Sequence, residues 1–131
     1  SKPPYSFIST FFKNTYLNDI NSMNIFDFKV NPLLILAIIN SKAVTFWFIV
    51  RFAKLQRDLF PQFKVNELKK FPIPIITDKN KENDLISLVN QIQKTPDDSK
   101  LNNQIDSLVY DLFSISAEEK IYMENYLNKF N

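Results

Sequence analysis

Two apolar runs, Leu-Leu-Ile-Leu-Ala-Ile-Ile at 33–39 and Ala-Val-Thr-Phe-Trp-Phe-Ile-Val at 43–50, stand on either side of Asn40-Ser41-Lys42. So much apolar surface in so short a stretch has to be buried. Read as one membrane span, the pair would carry a lysine near its centre, at about 2.5–3.5 kcal/mol on the insertion scale, with asparagine and serine beside it. Two short buried helices meeting at Asn40-Ser41 explain the pattern better, and no membrane association is expected. Asn31-Pro32 supplies a cap and a first-turn proline for the first helix, which should run to about Ile39. Ser41 is the expected cap of the second, from Lys42 to about Leu55.

Around this pair the pattern changes. Residues 5–12 (YSFISTFF) and 23–30 (MNIFDFKV) alternate apolar and polar side chains and read as strands, separated by the polar turn 18–22. Residues 60–65 and the two-proline segment 71–75 should be extended, with one helical turn between them capped by Asn66. After the polar hinge 77–83, apolar residues recur at helical spacing: Leu85, Leu88, Val89 and Ile92, then Leu101, Ile105, Leu108, Val109 and Leu112. Thr95-Pro96-Asp97-Asp98 is a helix-start signal, and Ser116–Glu119 is a capping box opening a last helix through Ile121, Tyr122, Tyr126 and Leu127. The expected fold is therefore α+β. A small mixed or antiparallel sheet packs on two buried helices within 1–78, and about three helices follow in 79–131.

Composition removes most chemistries. The chain has no histidine, cysteine or glycine. Histidine- and cysteine-based metal sites lose their ligands, and Ser-His or Cys-His nucleophile pairs cannot be assembled. Phosphate-cradling loops lose the residue whose backbone they need. A binder without catalytic residues, metal or cofactor of its own is expected. The lack of cysteine fits a reducing compartment, and with the opening SKPPYSF unlike a leader peptide a cytoplasmic location is expected.

Charge then divides the chain. Residues 1–81 hold 12 lysines and arginines against 5 acids, whereas residues 82–131 hold 4 against 9. Within 42–70 the count is 7 basic to 2 acidic. The first half is thus suited to face a polyanion.

The stretch NSKAVTFWFIVRFAKLQRDLFPQFKVNELKKFPIPI, from Asn40 to Ile75, resembles the C-terminal target recognition domain of type IIG restriction-modification enzymes and TaqI-like adenine-specific methyltransferases. It is similar also to recognition domains of type I specificity subunits. NQIDSLVYDLFSISAEEK, from Asn103 to Lys120, looks like that family's terminal segment, with Ser114 where glycine is usual; a left-handed helix stop there would cost about 1 kcal/mol. The resemblance implies a bacterial parent polypeptide whose methyltransferase and nuclease part uses S-adenosylmethionine and Mg2+, with double-stranded DNA as the partner of this domain. Lys2-Pro3-Pro4-Tyr5 imitates the methyltransferase NPPY box, but lysine only donates hydrogen bonds and cannot hold the target amino group. Pro96-Asp97 with Glu118–Lys120 imitates a nuclease pattern and is better explained by helix starts.

Candidate DNA-binding residues follow. Arg51, Lys54, Gln56 and Arg57 lie at the end of the second apolar helix, and Lys64, Lys69 and Lys70 extend the basic surface. Arg57 and Gln56 suit bidentate contact with guanine or adenine. Because family members reading different sequences share the FAKLQ and FPIP segments in outline, the resemblance implies scaffold or phosphate roles there. It puts base reading in loops such as 13–22, with Lys13, Asn14, Asn18 and Asn21 as candidates. Phe46, Trp47, Phe48, Phe60 and Phe63 read as core. The alternative is a protein- or RNA-interaction domain with a basic face and a helical docking segment.

Overall fold

A computed structural model describes residues 9–14, 17, 23–52 and 64–129. Its organising point is the polar trio between the two apolar runs. Helix α1 (Pro32–Asn40) starts where Asn31 Oδ1 accepts from the Leu33 N–H at 2.9 Å. Helix α2 (Lys42–Phe52) leaves it at 62°. Ser41 makes the bend by accepting from the Val44 N–H at 3.2 Å and donating its hydroxyl to Ile38 O at 2.7 Å. Among the described residues no single helix is long and apolar enough to cross a membrane.

Four further helices complete the described chain: α3 (Val65–Leu68), α4 (Lys79–Ile92), α5 (Ser99–Leu112) and α6 (Ala117–Asn128). Helix α1 packs on α4 and α5, α4 on α5, and α2 on α5 and α6. One apolar cluster joins Ile38 and Val44 to Leu85, Val89, Val109 and Met123. Val44, Leu85 and Val109 have no exposed surface, and burying each side chain of this kind contributes roughly 1.5–3 kcal/mol. The stripe read on α4 and, apart from Leu101, the stripe read on α5 enter or pack against this cluster.

The expected sheet is absent. Helices make up 62% of the described residues, and among them there is no strand. In 23–30, Asp27 has φ of 58°, a left-handed conformation that interrupts an extended run. The alternating side chains also have no common face to bury: Ile25, Phe26 and Val30 are all exposed. Residues 9–12 are likewise irregular, and the two segments meet through the Phe11 and Phe28 rings, 6.4 Å apart and nearly perpendicular, rather than through a backbone ladder. β-propensity describes fit to a half-buried pleated surface, and no such surface is built here. Residues 5–8 of the first expected strand and 60–63 of the later extended run lie outside the described residues.

Several helix starts are displaced from their expected positions. Helix α4 begins inside the polar segment read as a hinge, because Asp78 accepts from the Asn80 and Lys81 N–H groups and the first turn faces solvent. Helix α5 is capped by Asp98, not Thr95, whose carbonyl instead accepts from the Asp98 N–H in a turn. Helix α3 starts two residues early: Lys64, not Asn66, holds the cap position, its N–H donating to Glu67 Oε2 at 2.8 Å. The capping box is present, with Ser116 Oγ and Glu119 Oε2 exchanging bonds with each other's backbone at 3.2 and 2.7 Å. The expected left-handed stop is there too. Ser114 has φ of 55°, with Ser114 N–H to Asp111 O and Ile115 N–H to Tyr110 O bonds, both at 3.0 Å, ending α5.

Candidate nucleic-acid interface

Phe71 links the stretch that carries Arg51 to the one that carries Lys64, Lys69 and Lys70. It follows the bend at Lys69-Lys70, and its N–H donates to Leu68 O at 3.1 Å. Its ring lies 5.6 Å from Trp47 and 5.8 Å from Phe48. Phe52 closes the group, 5.7 Å from Trp47 and 5.4 Å from Phe48. The two Trp47 pairs are edge-to-face and the two Phe48 pairs tilted; aromatic pairs at such separations contribute about 0.5–1.5 kcal/mol beyond their buried area. The cluster clamps the exit of α3 against the last described turn of α2, where Arg51 sits with its guanidinium 5.6 Å above the Phe52 ring. Trp47 and Phe48 are thus packing residues, as is Phe46, whose ring meets Tyr122 and Tyr126; Phe60 and Phe63 lie outside the described residues.

The clamp places Lys69 and Lys70 at the same end of the molecule as Arg51, with Lys64 at the head of the short α3. All four are exposed, and among the described residues none of them is in an ion pair. Cations without carboxylate partners are free to neutralise an external polyanion. Lys42, part of the same basic stretch in sequence, is committed elsewhere: its ammonium lies 3.7 Å from Asp106 and 3.8 Å from Glu124. Lys54, Gln56, Arg57, Asn18 and Asn21 lie outside the described residues.

Lys13 and Asn14 are exposed as well, but on another element. They continue the 9–12 segment, which is tied to the end of α1 by Asn40. Arg51 stands nine residues along α2 from Lys42, roughly 14 Å at 1.5 Å per residue. The candidate residues thus form two groups.

The spacing of residues did not disclose a polar assembly beneath the α1–α2 junction. Asp106, on α5, is nearly buried and its Oδ1 accepts from the Lys42 N–H at 2.8 Å, capping α2 from another helix. Burial holds its carboxyl above the usual 3.8, opposed by that hydrogen bond and by the Lys42 charge. Tyr110 is 2% exposed; burial pushes its phenol far up, with Asp106 and Glu124 adding to the effect. A sign existed in the sequence: Asp106 lies between Ile105 and Val109 on the apolar stripe, a place where an unpartnered charge is costly.

Among the described residues no group of three or more acids could hold a cation, and the chain has no glycine for a phosphate loop. A family model described as the TaqI-like C-terminal specificity domain matches residues 6–73, just over half of the chain. All the candidate residues, from Lys13 to Lys70, fall inside that span, and the segment 104–120 falls outside it. No curated protein and no solved structure matches the chain.

Proposed function

The chain belongs to the TaqI-like C-terminal specificity domain family, which points to DNA sequence recognition in a restriction-modification enzyme, and from that premise we propose that it binds duplex DNA through the basic group at the end of α2. Arg51, Lys64, Lys69 and Lys70 contact phosphates and set register. Lys13 and Asn14 approach base edges, where an asparagine can serve adenine through paired hydrogen bonds. Methyl transfer and cleavage belong to another part of the parent polypeptide, so this domain contributes affinity and choice of site. The observation that carries the reading is the aromatic clamp, which gathers unpaired cations from two separate stretches within the family-matched residues.

The test is a titration of the chain into a labelled pool of randomised duplexes, followed by sequencing of what is retained. Enrichment of one short sequence supports the reading. Equal retention of all duplexes, or preference for single strands or acidic protein over duplex, contradicts it.

A further inference from the structure

The side chain of Asn40 uses both halves of its carboxamide on one residue 31 positions earlier. Its Oδ1 accepts from the Ser9 N–H at 2.8 Å and from the Ser9 hydroxyl at 2.7 Å, and its Nδ2 donates to Ser9 O at 3.0 Å. This is the pattern by which one strand would hold another, supplied here by a single side chain. The segment it holds lies between two open spaces. On one flank a cavity of about 300 Å³ separates residues 9–12 from residues 23–28 and α1. On the other a groove of about 780 Å³ lies between residues 9–11 and α4–α5. Between the two spaces Phe11 packs on the apolar core and meets the Phe28 ring.

Lys13 stands two residues beyond Phe11, a reach of roughly 7 Å of extended chain. Asn40 is also the last residue of α1, immediately before the bend from which α2 carries Arg51. One side chain therefore relates the Lys13-Asn14 group to the phosphate-facing group. We infer that Asn40 is a positioning residue for sequence discrimination: it sets where Lys13 and Asn14 meet the bases relative to the backbone contacts. This rests on the DNA-recognition reading above. Loss of the tie should relax sequence preference while leaving phosphate binding intact, because none of the four described phosphate-facing cations depends on Ser9.

The experiment compares the wild-type chain, N40A and K69A/K70A on the duplex selected by the wild type and on a randomised duplex, after circular dichroism confirms folding. N40A should lose about tenfold in the ratio of the two affinities, the size of one mismatched base pair, with its affinity for randomised duplex and its salt slope unchanged. K69A/K70A should weaken both duplexes alike. If N40A fails to fold, N40D carries the same test. It keeps the two accepted bonds and turns an oxygen toward the Ser9 carbonyl, so the ratio should fall by about threefold. A wild-type ratio in the folded variant, or an equal loss on both duplexes, overturns the inference. A wild type that does not distinguish the duplexes overturns the DNA-recognition reading itself and takes the inference with it.

Discussion

Asp106 of α5 accepts a hydrogen bond at 2.8 Å from the backbone N–H of Lys42, the first residue of α2, so the carboxylate of one helix caps the N-terminus of another. The cap couples the acidic C-terminal half to the helix that presents Arg51. Asp106→Ala leaves a part-buried donor without its partner, and a loss of about 1–3 kcal/mol in denaturant unfolding is expected. Asp106→Asn, which keeps an acceptor, should cost less.

The same residue gives a pH signature. Its folded-state pKa is raised, so the folded protein holds the proton more tightly than the unfolded chain. Its stabilising contribution is then fully present below the ordinary 3.8 and is lost as pH rises through the folded value. The stability difference between wild type and Asp106→Asn should accordingly move in favour of the wild type as pH falls from 7 toward 4. A difference that does not vary over that range would show that Asp106 is not desolvated in solution.

Ser114 occupies the left-handed stop of α5 without glycine's freedom. Ser114→Gly should raise stability by about 1 kcal/mol, read as a higher Tm. An unchanged or lower Tm would count against the φ of 55° assigned there.

Trp47, the only tryptophan, touches Phe71 and so reports on the clamp. Phe71→Ala should shift its emission to the red, cost roughly 2 kcal/mol, and weaken DNA binding through Lys69 and Lys70. Weakened stability with unaltered DNA affinity would separate the clamp from the interface.

What could be read from the sequence depended on whether the signal was local. Asn31-Pro32, Ser41, the Ser116–Glu119 box and the stop at Ser114 act within a few residues, and each stands where the sequence puts it. The strands at 5–12 and 23–30 were inferred from alternation, which needs a partner surface to become a sheet; in the described part of these segments Asp27 turns the chain instead. The site divides in the same way. Charge counting found Arg51, Lys64, Lys69 and Lys70 but not that Lys42, equally basic, is held by Asp106 and Glu124, acids 64 and 82 residues further on. Nor did spacing reveal that Asn40, read simply as a break between apolar runs, grips Ser9.

The most direct test of the central claim is the salt dependence of binding to duplex DNA, measured by anisotropy between roughly 50 and 200 mM salt for wild type, K69A/K70A and K42A. A steep wild-type slope is predicted, reduced by about 2 in K69A/K70A at about 0.9 per neutralised phosphate, and unchanged in K42A, whose ammonium is already paired within the protein. A flat wild-type response, or equal slopes for wild type and K69A/K70A, would contradict the account.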